Sequence, residues 1–334
     1  MESRKVNMST ILIIIAAFLL ALVFWLFYLG RPAPIIDQVY GVSFSSKQAR
    51  ALQLNSEEAY LAILDDLEVK SVRLAAYWDI IETSPGQFDF SELDWQIDEA
   101  GRRNVTALLA VGRKLPRWPE CFMPDWARDL APPQQNKHLL QMLRVVIERY
   151  RHREAVVAWQ LENEPFVGWF GQCPKLDRTL LQEELNLVRS LSPKPVVITD
   201  SGELSTWRRT ARFADRFGTT MYRVTWNPYY GYGFYPLPAS LYRLKARLWG
   251  LNPSDVSITE LQAEPWPPGK PLVEVSLDEQ FRSMDFDRFQ KNITFARATG
   301  FGEVYLWGAE WWYWMKTTQN HPEFWEEAKK LFEP

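Results

Sequence analysis

Eight short apolar runs, most of them followed by a stretch of helical periodicity, set the main constraint on how this chain can fold. The runs cover residues 39–44, 71–75, 105–111, 155–161, 195–199, 221–226, 256–259 and 304–307. Helical patterns follow at 55–67, 91–103, 137–150, 177–191, 203–217 and 239–249, a further pair brackets the last run, and the closing helix covers 322–332. The first begins at Asn55 with Glu58 three residues on, a capping-box spacing, and Ala59, Ile63, Leu64 and Leu67 share one face. Strand and helix in alternation argue for βαβ units around a parallel sheet. An open doubly wound sheet is the competing topology. The even spacing of eight units favours closure into a (β/α)8 TIM barrel, typically ~250 residues with insertions. The expected fold class is therefore α/β.

Residues 11–29 carry no charge and almost no polarity, and Arg4 and Lys5 precede them. At ~1.5 Å rise per residue such a run nearly spans a ~30 Å hydrocarbon core. The basic pair favours a cytoplasmic N-terminus. A cleaved signal peptide is the rival reading, but its apolar core is usually ~7–15 residues and ends in small residues. Here Gly30-Arg31-Pro32-Ala33-Pro34 follows instead. The expected organisation is a cytoplasmic segment 1–10, a transmembrane signal anchor 11–29, a linker 30–36 and an extracytoplasmic catalytic domain 37–334. The lipid bilayer is then a partner through 11–29.

In a closed barrel all strand C-termini meet at one rim, where chemistry is found. That rim collects Arg73, Trp78, Asn163, Glu164, Asp200, Asn227, Tyr229, Glu260, Trp307 and Glu310. Glu162-Asn163-Glu164-Pro165 closes one buried run, and Glu260 closes another. Two carboxyl groups at strand ends suit glycoside hydrolysis: one protonates the leaving oxygen, the other attacks or stabilises the anomeric carbon. Aromatic residues make up 14% of the chain, with 16 Trp. Many lie just past predicted strands, where their faces suit the apolar CH faces of sugar rings. Net charge is −3 with mixed signs, which gives nucleic acid no basic surface. The three histidines, His138, His152 and His321, are scattered, and no Cys/His spacing reads as a metal site. No cofactor is expected.

Four ordered blocks resemble one clan of enzymes. These are Trp159-Gln160-Leu161-Glu162-Asn163-Glu164-Pro165, the stretch from Val72-Arg73-Leu74 through Tyr77-Trp78 to Phe88-Asp89-Phe90, Ile258-Thr259-Glu260, and Tyr305-Leu306-Trp307-Gly308-Ala309-Glu310-Trp311-Trp312. They are similar to the retaining (β/α)8 glycosidases of clan A, among them cellulases, β-mannanases, β-xylosidases and β-galactosidases, with likeness to its families 5 and 39. The resemblance implies Glu164 as acid/base and Glu260 as nucleophile. It implies Asn163 on the sugar 2-hydroxyl, Arg73 orienting the nucleophile with Tyr229 or Tyr230, and Trp307 as the floor of the cleaved-sugar subsite. The sequence departs from several families in lacking a His in Trp226-Asn227-Pro228-Tyr229-Tyr230.

The expected activity is retaining hydrolysis of β-linked O-glycosides in an oligosaccharide, polysaccharide or glycoconjugate. A catalytically inactive carbohydrate-binding barrel at the cell surface is the alternative. Glu264 competes with Glu260, but a nucleophile belongs on a rigid element. Glu162, Asp200 and Glu310 read as structural. Trp78, Trp266 and Trp312 are the candidate stacking platforms. Cys121 follows the third strand and Cys173 the fourth, so adjacent loops bring them together, and an exported domain favours a disulfide.

Overall fold

The computed structural model describes residues 8–32 and 38–333. Among the described residues ten strands form, labelled in chain order: β1 Val39–Ser43, β2 Ser71–Ala75, β3 Thr106–Val111, β4 Val156–Leu161, β5 Val196–Asp200, β6 Arg216–Met221, β7 Val224–Asn227, β8 Gly231–Phe234, β9 Val256–Gln262 and β10 Glu303–Trp307. Eight of them close a parallel barrel in the order β1-β10-β9-β6-β5-β4-β3-β2. Strands β7 and β8 pair antiparallel as a separate hairpin. The fold is the (β/α)8 barrel, with an apolar helix ahead of it.

The sixth barrel strand is not where hydropathy puts it. The apolar run 221–226 straddles the end of β6 and the hairpin strand β7. The barrel strand is Arg-Phe-Gly-Thr-Thr-Met at 216–221. Its small residues answer a packing need: a Cβ on Gly218 would stand 2.7 Å from Thr259 Cγ2 and 3.0 Å from Thr199 Cγ2. The helix expected at 203–217 is also absent. That stretch makes turns, with Trp207 buried against Phe217 and Phe301 and its indole donating to Ser201 O.

Elsewhere local chemistry sets the helix starts. The Asn55 side chain accepts from the N–H groups of Glu57 and Glu58 and caps the helix Ser56–Asp65. Asp177 and Asp285 cap Arg178–Leu191 and Phe286–Thr299 in the same way. Pro132 opens Pro132–Tyr150, where a missing N–H costs nothing.

The N-terminal helix runs Met8–Leu29, and its Ile11–Leu29 stretch has a mean hydropathy of 2.9 with none of it buried. It is long and apolar enough to cross a membrane. Arg4, Lys5 and the linker positions 33–36 lie outside the described residues.

Candidate active site

β9 carries one residue more than either neighbour. Against β6 the pairing steps from Thr219↔Ile258 to Thr220↔Glu260, and against β10 from Val304↔Ile258 to Leu306↔Leu261. Such a bulge re-aims side chains. Thr259 O accepts from Arg73 Nη1 at 3.1 Å and Ser43 Oγ at 3.4 Å, and Glu260 Oε1 accepts from the same Nη1 at 2.8 Å. Arg73 is wholly enclosed. Its Nε donates to Gln160 Oε1 at 2.7 Å and its Nη2 to Asn163 Oδ1 at 3.1 Å. One guanidinium therefore ties the ends of β2, β4 and β9 together. The other Glu260 oxygen accepts from the Tyr222 hydroxyl at 2.8 Å. Burial and the Glu260 charge push the Tyr222 phenol well above its usual range, so it stays a donor.

At the end of β4 the backbone leaves the ordinary regions. Glu162 has φ 56° and Glu164 φ 44°, both left-handed for residues with a Cβ. The two turns send the neighbouring side chains apart. Glu162 faces the loop after β3, where its carboxylate accepts from the N–H of Arg113 at 2.9 Å and of Lys114 at 2.7 Å. Only glycine fits at 112, with φ 135°, because a Cβ there would sit 2.6 Å from the Glu162 carboxyl. Glu162 is thus a structural staple.

Glu164 is buried and turns toward the end of β6. Its Oε1 accepts from Thr220 Oγ1 at 2.9 Å, and its N–H donates to Thr199 Oγ1 at 2.9 Å. Burial pushes its carboxyl well above the usual carboxylate range, and the charges of Glu120 and Glu260 push further. Asn163 Oδ1 accepts from Arg73, Gln160 and Thr199, and its Nδ2 donates to Glu120 Oε1 at 3.2 Å.

Glu120 is a residue that sequence reasoning missed. It is buried, paired with Lys114 Nζ at 3.1 Å, and raised to about 7 by burial, with the Glu260 charge adding to the rise. Lys114 also donates to the carbonyls of Glu164 and Val167. The loop around Glu120 is irregular and proline-rich, so the one hint in the sequence is its place beside Cys121. That cysteine pairs with Cys173, Cα to Cα 4.8 Å, and joins the loops after β3 and β4.

A cleft of about 740 Å³ opens beside these groups, with Glu120, Tyr222, Glu260, Trp266 and Trp307 in its wall. An aromatic file leads inward: Trp118 meets Phe170 at 5.8 Å, Phe170 meets Trp266 at 5.7 Å, and Trp266 meets Tyr222 at 5.1 Å between ring centres. Trp307 does line the cleft, but the Arg117 guanidinium stacks on its ring at 3.9 Å. Arg117 is held there by Glu264 and by Glu310, the latter at 3.1 Å. Burial raises Glu310 to about 7.

Of the six expected substrate contacts Trp307 is in the cleft wall, Arg73 and Asn163 are buried and reach it through Glu260 and Glu120, and three lie elsewhere. Tyr229 is 94% exposed at the hairpin tip, and Tyr222 takes the place expected for it. Trp78 is fully buried, donating to Glu82 Oε2 and crossing Trp126 edge-on. Trp312 is fully buried, donating to Ala263 O at 2.7 Å. Both are core. Trp266 is the one expected platform that lines the cleft. Asp200 is structural, accepting from Thr210 Oγ1 and from the Ser201 N–H.

Comparison with known proteins agrees in kind. A glycoside hydrolase family 42 model, described as β-galactosidase, matches residues 53–191. The β-galactosidase BgaA of Clostridium cellulovorans is 25% identical over 175 residues, 46% of this chain and 26% of that protein. The chain thus spans about a quarter of the length of that curated relative. Among solved structures, GH5_18 from Streptomyces cattleya, in complex with GlcNAc, has a TM-score of 0.57 at 13% identity, over 81% of this chain and 70% of its own. Xylanase 10B from Thermotoga petrophila, in complex with xylobiose, has a TM-score of 0.55 at 13% identity, over 81% and 82%. These homologues and fold neighbours are glycoside hydrolases, and the resemblance to clan A read from the sequence is met by the family match and by the fold.

Proposed function

We propose that this chain is a retaining β-glycosidase with Glu260 as nucleophile and Glu164 as acid/base, held at a membrane by residues 11–29 with the barrel outside the cytoplasm. One observation carries the reading. A single buried arginine, Arg73, bridges Glu260 and Asn163, next to Glu164, while Tyr222 holds the second Glu260 oxygen. A carboxylate whose two oxygens are both held in place is aimed for attack; a solvated loop glutamate is not.

The chemistry follows from the two environments. In the first step the Glu164 carboxyl gives its proton to the glycosidic oxygen as the bond to the anomeric carbon breaks. A Glu260 oxygen attacks that carbon and forms a glycosyl ester. In the second step water attacks the same carbon, Glu164 takes the water proton, and Glu260 leaves as carboxylate. Burial of Glu164 keeps the acid protonated at a pH where a free carboxyl is ionised. In this reading Asn163, next to Glu164 in the chain, is the residue that meets the ring hydroxyl beside the anomeric centre. Trp266 and the file behind it supply apolar faces for the leaving group.

A second reading draws on Arg117. It covers the Trp307 ring, so a sugar stacking on that face must displace it. A barrel that binds sugar without turnover would tolerate this cover. A mechanism-based 2-fluoroglycoside separates the two. The hydrolase reading expects a covalent label on the peptide carrying Glu260. A label on Glu264, or none with any activated glycoside, sinks it. The anchor is tested by fractionation: full-length chain in membranes supports it, and a released chain lacking residues 11–29 refutes it.

A further inference from the structure

The N-terminal helix does not end free. Helix C-termini leave carbonyls without partners, and two arginines one turn apart on the helix Ala239–Leu248 take them. Arg243 Nε donates to Gly30 O at 3.1 Å and Arg31 O at 2.9 Å; Arg247 Nη1 donates to Leu29 O at 2.5 Å and Arg31 O at 2.6 Å. Gly30 packs so closely on Ser240 that an added Cβ would meet its carbonyl at 3.3 Å. Positive charge at a helix C-terminus is favourable. If residues 11–29 span the bilayer, this contact puts the helix Ala239–Leu248 at the membrane surface.

The β7–β8 hairpin ends four residues before that helix. Its outer side is aromatic and open, with Tyr229 94%, Tyr230 67% and Phe234 58% exposed. Its other side, through Trp226 and Pro228, walls the cleft. Between the hairpin and the helix Phe286–Thr299 lies a groove of about 600 Å³. Arg223, Arg288 and Lys291 line it with a single carboxylate, Asp287, which pairs with Lys291. Arg288 Nε is buried in it without a hydrogen-bond partner among the described residues. Arg223 stacks on Phe295 at 4.0 Å, with Phe234 at the lip, 5.2 Å away. The same two helices hold the docked helix end: Tyr242 crosses Phe295 edge-on, and Arg243 donates to Ala298 O.

We infer that this groove binds the phosphate of an anionic phospholipid, with Tyr229, Tyr230 and Phe234 in the headgroup layer. The barrel then rests on the bilayer by its hairpin side and the cleft opens at the membrane surface. The inference rests on the anchoring reading above. The excess positive charge in the groove matches a phosphate oxyanion, amphipathic rings suit the interface, and both are continuous with the docked end of the spanning helix. The open aromatic tip otherwise faces water at a cost.

The test uses the full chain in nanodiscs of phosphatidylcholine alone or with phosphatidylglycerol, read by hydrogen exchange. Residues 224–234 and 286–292 should exchange more slowly with phosphatidylglycerol by at least about fivefold, the size of one basic residue's attraction to an anionic leaflet. Arg288→Glu with Lys291→Glu should abolish the difference while the unfolding midpoint in detergent stays unchanged. Equal exchange in both discs, or an unaltered difference in the variant, overturns the inference alone. Equal slowing by inorganic phosphate in detergent assigns a free-anion site and overturns the lipid. A chain that leaves the discs for the aqueous phase overturns the anchoring reading and this inference with it.

Discussion

Thr220 and Tyr222, two residues apart on one strand exit, hold the two proposed catalytic carboxyls: Thr220 Oγ1 donates to Glu164 at 2.9 Å and Tyr222 Oη to Glu260 at 2.8 Å. Alternate residues on an extended chain point the same way. One backbone segment thus sets the position of both groups relative to each other.

Tyr222→Phe is expected to lower kcat by roughly 10- to 100-fold, because a hydrogen bond to a charged group is worth ~1.5–3 kcal/mol. KM should change little, since the phenol meets the nucleophile rather than the sugar. Tyr229→Phe should leave both parameters alone, its ring lying at the hairpin tip outside the cleft wall. Steady-state kinetics on a chromogenic glycoside decide it. A larger effect at Tyr229 than at Tyr222 refutes the site.

That pair also marks where the sequence is readable. Seven barrel strands are apolar runs because both faces are buried, and the Asn-Glu at the end of β4 and the Glu in β9 stand out against them. The sixth strand hides. Interior crowding at Gly218 demands small residues, so Gly218-Thr219-Thr220 carries no apolar signal. The more apolar hairpin beyond it draws the assignment outward, and Tyr222 is passed over for Tyr229. Aromatic identity is equally ambiguous. Trp78 and Trp312 are core, Trp266 is cleft, and nothing local separates them, because both roles want a large apolar face. Glu120 reaches the site by a loop path that has no periodicity to read.

The alkaline limb of the pH–rate profile should lie above the range of a free carboxyl. Burial raises Glu164 first, and the Glu120 charge adds to it. The acid must be protonated to act, so activity falls as pH rises through its raised pKa. Glu120→Gln removes a neighbouring negative charge and makes Glu164 easier to ionise. The limb of kcat/KM should therefore move to lower pH. A shift to higher pH, or none, would show that Glu120 does not face the acid.

Arg117 is enclosed between Glu264 and Glu310. Arg117→Ala leaves two buried carboxylates without a counter-charge, which costs about 3–5 kcal/mol when one partner of a buried pair is removed. Adding Glu310→Gln should recover part of the loss. The recovery has a sign in pH. Glu310 rises from 4.5 to about 7 on folding, so the folded chain holds the extra proton between those values. Its contribution to stability is full below about 4.5 and is lost as pH rises through 7. Denaturant unfolding of the single and double variants at pH 5 and pH 8 measures both effects. A double variant no more stable than Arg117→Ala refutes the pairing.

The Cys121–Cys173 bridge spans a sequence separation of 52 and joins the two loops that carry Glu120 and the outer end of the aromatic file. In the loop-entropy model such a closure is worth about 4 kcal/mol, acting through the unfolded chain. The double Cys→Ser variant should lose stability of that order or less. Its effect on function should be selective. The Glu164 and Glu260 carboxyl groups are held by Thr220, Arg73 and Tyr222, none of which lies in the bridged loops. Trp118 and Phe170 do lie there, at the outer end of the cleft. The variant is therefore expected to keep kcat on a small aryl glycoside and to raise KM on a longer oligosaccharide that reaches the file. Equal losses on both substrates would mean that the bridge supports the catalytic centre itself, and that the outer loops are not a separate binding wall.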